Sequence, residues 1–461
     1  MDANYKNQNN PIRVVMLPWL AYGHITPYLE LAKKLTTRNF IIYLCSTPAT
    51  LTSIEKKITA KLSQSIKLVP LLLPNLPDLP RKFHTTNGLP PHLMPRLKEA
   101  FDSSVEDFSY ILSDIKPDLL IYDFQAWAPL VAKEQNIPAV QFITNSTTMS
   151  CFTFHYYKNP SIEFPFPEIY YRDYESSNMK GLLESANNPK DREIVFRVVE
   201  RSCNIVLIKG FREIEGKYID YVSSIVGKKF VPVGPLVQEP NPNENDDEIS
   251  LDILSWLDKK ENKSTVFVSF GSEYFLTKED MDEIACGLEL SQINFIWVLK
   301  FPKDNANRDN EILLEKKLPK GFLGRVGNRG KILVGWAPQT KILEHSAIGG
   351  FVSHCGWNSV MESMHFGVPI IAVPMQIDQP FIARLVEEVG VGVEVLRDKN
   401  RMLHRDSLAT VIKQVVFEDC GASVRQRAAD MREKLKAKGD EEIDEVVKEL
   451  VGLCNKSSTK K

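Results

Sequence analysis

Between Trp336 and Gln379 the chain sets out, in order, an aromatic ring, a histidine before a glycine turn, a helix start, a glutamate and an acid–amide pair. Trp336 offers a flat π-face on which a base can stack. His354 precedes Gly356-Trp357-Asn358-Ser359, which opens a helix. The free N–H groups and positive dipole end of a helix N-terminus suit a diphosphate. Glu362 stands three residues after Ser359 on the same helix face, where a carboxylate can bind the two hydroxyls of a ribose. After the apolar run Ile370-Ile371-Ala372-Val373, Asp378-Gln379 set an acceptor beside an amide at a strand's C-terminal end, the edge where open α/β sheets bind ligands. Together these groups could hold a nucleotide-diphosphate sugar. Taken singly, Trp336 reads as a core aromatic and His354 as a buried packing histidine; the ordered set carries the reading.

Moving a sugar from such a donor to an alcohol needs a base for the hydroxyl proton and stabilisation of the departing diphosphate. The candidate base is His24, in Gly23-His24-Ile25 after the apolar run Val14-Val15-Met16-Leu17. Imidazole takes up a proton near neutral pH without large tuning. Asp123 closes Leu119-Leu120-Ile121-Tyr122, at the carboxyl edge of another predicted strand. A carboxylate there can bind the distal imidazole nitrogen, fix its tautomer and stabilise the imidazolium, as in the His–Asp pair of hydrolases. The plainer alternative is a surface histidine and a helix-capping aspartate. Ser269-Phe270-Gly271-Ser272 ends a later strand, where Gly271 allows close backbone approach and Ser272 can donate to a phosphate oxygen. The remaining histidines, His84, His92, His155, His345, His365 and His404, show no partner pattern; His92 and His155 are candidates to line an acceptor site.

The stretch from Trp336 to Gln379 resembles the signature box of plant UDP-dependent family-one glycosyltransferases. It has the opening Trp336-Ala337-Pro338-Gln339, the central His354-Cys355-Gly356-Trp357-Asn358-Ser359, Glu362, and the closing Asp378-Gln379. A match of this length is specific where a lone glycine motif is not. The resemblance covers the whole chain. It implies the α/β GT-B fold, with two Rossmann-like doubly wound domains facing across a cleft and a C-terminal helix packing back on the first. It implies that Ser272, His354, Asn358 and Ser359 embrace the diphosphate. Trp336, followed by Ala337, would stack on uracil, Gln339 would approach the ribose or base, and Glu362 would hold the ribose hydroxyls. Trp357, Asp378 and Gln379 would bind the transferred sugar with help from Thr144, and His24 with Asp123 would form the catalytic pair. No DxD-type acidic pair stands at the diphosphate position. The helix dipole and His354 are therefore expected to offset leaving-group charge, with no metal or other cofactor. A single direct displacement would invert the anomeric centre.

Strands and helices alternate on both sides of one polar segment, which predicts two doubly wound α/β domains. Predicted strands fall at Val14–Leu17, Phe40–Cys45, Asp118–Tyr122, Ala139–Ile143, Ile205–Ile208 and Phe230–Val233, then at Thr265–Phe270, Asn294–Leu299, Ile332–Val334, Gly349–Val352 and Pro369–Val373. Thr26 reads as an N-cap with Pro27 at the first helical position. The expected domains are residues 1–237, a linker 238–249 whose only apolar side chains through Glu248 are two prolines, residues 250–438, and a terminal helical segment 439–461. The segment from Asn159 to Lys190 reads as loops over a pocket. With 461 residues, 43% hydrophobic and 25% charged, the composition is that of a soluble globular protein. A net charge of −2 gives no nucleic-acid footprint. The seven scattered cysteines fit reduced thiols better than a disulfide or zinc framework. No apolar run approaches a membrane span, so no stable membrane insertion is expected, and a cytoplasmic monomer is.

By family analogy the closing Gln379 favours UDP-glucose. Glucuronic acid would want a cation near its carboxylate, for which Arg384 and Lys33 are candidates. Met16 to Ile25 and Tyr43 to Pro48 resemble the branch whose members extend sugars already attached to flavonoids, lignans, terpenoids or apocarotenoids. That makes a sugar hydroxyl of a small-molecule glycoside the expected nucleophile, with Phe152 to Tyr174 as an apolar wall. Transfer directly to an aglycone hydroxyl or carboxyl is the alternative, and a nucleotide-sugar-binding protein without turnover is the alternative of another class. A serine hydrolase is disfavoured because no Gly-x-Ser-x-Gly elbow stands near a suitable triad.

Overall fold

The computed structural model of the chain describes residues 10–175, 189–240, 248–271, 274–301 and 310–458. The chain divides into two compact units. The first comprises Met1–Ile162, Leu183–Leu236 and Asp440–Lys461; the second comprises Glu163–Leu182 and Val237–Gly439.

The first unit is built on β1 (Ile12–Leu17), β2 (Phe40–Ser46), β3 (Ile66–Pro70), β4 (Leu119–Tyr122), β5 (Ala139–Ile143), β6 (Ile205–Ile208) and β7 (Lys229–Pro232). They form a seven-stranded sheet in the order 3-2-1-4-5-6-7, with every pairing parallel. Strands β4, β5 and β6 are buried at every residue, as a parallel sheet covered on both faces requires. The C-terminal helix Glu441–Ser458 belongs to this unit. Its Ile443, Val446, Val447 and Leu450 share one core with Val14 and Ile42. Arg38 bridges Asp440 and Asp444 beside it, but such partly exposed pairs contribute little and the apolar stripe holds the helix.

The second unit repeats the pattern with β8 (Thr265–Ser269), β9 (Asn294–Leu299), β10 (Gly330–Val334), β11 (Ile348–Ser353), β12 (Ile370–Ala372) and β13 (Gly392–Glu394). The order is 10-9-8-11-12-13, again parallel throughout. In each sheet the strand order reverses at one place, between β1 and β4 and between β8 and β11. A doubly wound sheet opens its ligand crevice beyond the carboxyl ends of the strands at that switch point.

Several expectations shift. Strands β3 and β13 were not foreseen. Each is an edge strand, β3 running into proline-rich sequence and β13 only three residues long with a glycine, so neither shows a clear apolar run. The helix Glu248–Leu257 begins inside the expected linker 238–249, anchored by Ile253 in its second turn and Leu257 at its end, both wholly buried. Residues 163–175 group with the second unit and not with residues 1–237. The reason is charge and aromatic packing. Arg172 donates to both oxygens of Glu394, at 2.6 and 3.0 Å. Arg384 donates to both oxygens of Glu175, at 2.8 and 2.7 Å, and the Tyr171 and Phe381 rings lie 4.2 Å apart.

Candidate active site

The turn after β1 starts its helix early. The N–H groups of His24 and Ile25 both donate to the Ala21 carbonyl, so the helix runs Tyr22–Thr36 with Pro27 inside it and Thr26 is not its N-cap. Ile25 drives this, because it is wholly buried and extends the apolar stripe of Leu29, Ala32 and Leu35. His24 therefore stands in the first helical turn, with its side chain 21% exposed. Register places Leu17 opposite Tyr122, so Asp123 leaves β4 level with the β1 turn. His24 Nδ1 lies 2.7 Å from Asp123 Oδ2, and the expected pair is formed. The Trp19 N–H donates to the same carboxylate oxygen at 3.0 Å. Asp123 is fully buried, and its Oδ1 has no hydrogen-bond partner among the described residues. A buried carboxylate so placed favours a positive charge on the ring beside it.

Thr144, expected on the transferred sugar, places Oγ1 3.0 Å from His24 Nδ1. It leaves β5, the neighbour of β4, which is why it reaches the pair. Sequence reading missed the supports of this turn. The Gln125 side-chain oxygen accepts from the Asp123 N–H at 3.1 Å, and the edge of Phe124 meets the His24 ring at a centroid distance of 5.3 Å. These residues orient a loop and carry no chemistry of their own, so no motif marks them.

In the second unit, β8 and β11 pair Ser269 with Ser353 at the switch point. Gly271 and His354 follow directly. A Cβ built on Gly271 would stand 2.6 Å from His354 Nε2, and one on Gly356 would stand 2.5 Å from it. The imidazole is thus packed against two backbones that only glycine permits, and Gly271 also takes φ +79°. Cys355 turns the chain at φ +64°, and Gly356 is an N-cap with no side-chain cap on the helix Trp357–Phe366. Uncapped N–H groups at a helix start present an anion site.

Burial drives the His354 pKa down to about 4, against the raising effect of the Ser269 backbone. At neutral pH the ring is uncharged. An uncharged ring could aid a leaving diphosphate only as a hydrogen-bond donor, and the positive end would be that of the helix. The folded pKa lies below the ordinary 6.5, so the unfolded chain takes up the proton first as pH falls. Stability present above pH 6.5 should be lost as pH falls towards 4, by about 3 kcal/mol from this group. Urea midpoints measured across that window should fall less steeply in His354→Gln than in wild type; equal slopes would contradict the assignment.

Gln339 Nε2 donates to Glu362 Oε2 at 2.6 Å and to Ser359 Oγ at 3.1 Å, joining three of the expected residues. Trp336 is 57% exposed, its ring available for stacking. Ala337 packs against the core that holds Ile342 and Leu343. Trp357 and Ser359 are buried, while Asn358 and Asp378 are half-buried. Gln379 Oε1 accepts from the backbone N–H groups of Met375 and Gln376, both at 2.9 Å. Those two donors fix the amide orientation and direct its NH2 away from the loop. Ser272 lies outside the described residues. His155 is excluded from lining an acceptor site, since Nδ1 lies 2.7 Å from the Tyr221 hydroxyl and Nε2 2.8 Å from the Ile162 carbonyl. Among the described residues no helix is long and apolar enough to cross a membrane.

Residues 242–421 match the family described as UDP-glucoronosyl and UDP-glucosyl transferase, and residues 10–238 match the glycosyltransferase N-terminal domain. The chain is 50% identical over 453 residues to UDP-glucosyltransferase 29 of Panax ginseng, covering 98% of each. The chain belongs to the UDP-glycosyltransferase family. The transferase is also 48% identical over 446 residues to the beta-D-glucosyl crocetin beta-1,6-glucosyltransferase of Gardenia jasminoides, covering 96% of this chain and 99% of that one. Its GT-B fold is shared with Glycyrrhiza uralensis UGT73P12, crystallised with glycyrrhetinic acid 3-O-monoglucuronide, at a TM-score of 0.83 and 24% identity over 98% of each chain.

Proposed function

We propose that the transferase moves glucose from UDP-glucose to a sugar hydroxyl of a small-molecule glycoside, with inversion. His24 would be the base and Asp123 the carboxylate that holds it. The observation that carries the acceptor reading is the near full-length similarity to the Gardenia enzyme, whose name specifies a glucosylated substrate. With Nδ1 against Asp123, Nε2 is the nitrogen that would take the acceptor proton. Gln339, Glu362, Ser359 and Asn358 would hold ribose and diphosphate below a uracil stacked on Trp336. Asp378 and the Gln379 amide would address the transferred sugar. By the same family resemblance Ser272 would bind the diphosphate, Ala337 would adjoin the uracil and Trp357 would meet the transferred sugar.

Glucose fits better than glucuronic acid. Of the two candidate cations, Lys33 is paired with Glu30 at 2.8 Å, and the Arg384 guanidinium is taken by Glu175. Both cations are thus already charge-matched, which supports glucose over a sugar carboxylate. The helix N-terminus at Gly356 supports the leaving diphosphate, so turnover needs no metal. The free cysteines fit a cytoplasmic setting, and we take the enzyme to be a monomer.

The test is a mass-spectrometric turnover assay with UDP-glucose in EDTA, using matched pairs of an aglycone and its monoglucoside. A mass gain of one hexose on the monoglucosides is the expected result. Gain on aglycones alone would move the acceptor reading to direct glucosylation, and no gain with intact UDP binding would reduce the protein to a nucleotide-sugar binder.

A further inference from the structure

The second unit contains a cavity of about 230 Å3 whose lining includes none of Trp336, Gln339, His354, Asn358, Ser359 or Glu362. One wall is the loop Pro374–Ile377 that follows β12, and another is Glu394 and Val395 at the end of β13. Tyr171, Tyr174 and Glu175, from the segment anchored on this unit, close it. We propose that this cavity is a subsite for a neutral monosaccharide unit, the sugar of a glycoside ligand; that last identification rests on the function proposed above.

Position is the first argument. The cavity lies at the carboxyl edge of the sheet, the side that binds ligands in this architecture. Along that edge the order is the imidazole and open helix start at β8 and β11, then Asp378-Gln379 after β12, then the cavity at β12 and β13. Strands are spaced by about 4.8 Å, so β13 stands about 10 Å beyond β11. A ligand there lies past the transferred sugar and not at the diphosphate. The loop between them is stiff, since Gln379 holds the N–H groups of Met375 and Gln376.

Size and chemistry name the ligand class. The volume is below the roughly 300–1,000 Å3 of sites for drug-sized molecules, which leaves room for one sugar ring and not for a flavonoid or triterpenoid skeleton. Tyr171, Tyr174 and Tyr274 contribute flat faces suited to the C–H face of a pyranose. The carboxylates at the wall are each matched to a guanidinium: Glu394 to Arg172, Glu175 to Arg384, and Asp280 to Arg397 at 2.8 Å. Paired charges present fixed hydrogen-bonding atoms, and Arg401 adds further donors at the wall, an array that suits the hydroxyls of a polyol.

The test uses the full chain saturated with UDP and titrated with methyl β-D-glucopyranoside, read by saturation-transfer NMR. Binding should weaken by about tenfold or more in Tyr174→Ala and in Tyr274→Ala, with UDP affinity unchanged. No binding to the wild type, or equal binding in both tyrosine variants, overturns the subsite. Loss only in Asp378→Asn also overturns it, because the probe would then occupy the transferred-sugar position. The readout needs no turnover. Failure of monoglucosides to react, with binding still lost in the tyrosine variants, would sink the proposed reaction and leave the subsite standing.

Discussion

Replacing His24 with alanine is expected to lower kcat for glycosyl transfer by about 10²–10⁴-fold, the usual contribution of a positioned general base. UDP affinity should not change, because His24 belongs to the first unit and the Gln339–Ser359–Glu362 cluster to the second. Nδ1 is held at 2.7 Å by a fully buried carboxylate, which would fix the tautomer and stabilise an imidazolium if the ring takes the acceptor proton. Asp123→Asn should therefore lower kcat with little change in UDP affinity. Near wild-type kcat in His24→Ala, measured at saturating donor and acceptor, would remove His24 from the chemistry.

The second large effect is expected from a single methyl group. In Gly356→Ala the new Cβ would meet His354 Nε2 at 2.5 Å and Cε1 at 2.9 Å. Gly356 has φ −60°, so the backbone tolerates alanine and the clash acts alone. The ring has little room to retreat, because even a Cβ on Gly271 would stand 2.6 Å from the same nitrogen. Overpacking of this kind costs about 1–3 kcal/mol, and it distorts the helix start that would bind the diphosphate. UDP affinity should fall by about 10- to 100-fold, measured by calorimetry. The diagnostic is non-additivity: in the double variant Gly356→Ala/His354→Ala the clash is gone, so its stability should exceed the sum of the single effects. Additive losses, or wild-type UDP affinity in Gly356→Ala, would show that the imidazole is not confined as described.

The sequence alone determined the candidate residues for the chemistry and the alternation that makes each half a doubly wound sheet. His24, Asp123, Gln339, Ser359 and Glu362 were all legible, because ligand chemistry restricts residue type at fixed offsets from strand ends and helix starts. Only the tertiary structure decided which of them touch. His24 and Asp123 meet because β1 and β4 are neighbours at the place where strand order reverses, and no local pattern encodes that adjacency. The same reversal between β8 and β11 packs His354 against two glycines and removes its charge by burial; a motif gives residue type but not solvation. Thr144 meets His24 for the same reason, since β5 pairs with β4. The segment 163–175 was legible only as irregular. Its place in the second unit is fixed by Arg172–Glu394 and Glu175–Arg384, charge pairs more than two hundred residues apart that are made when the fold brings β13 and its helix to them.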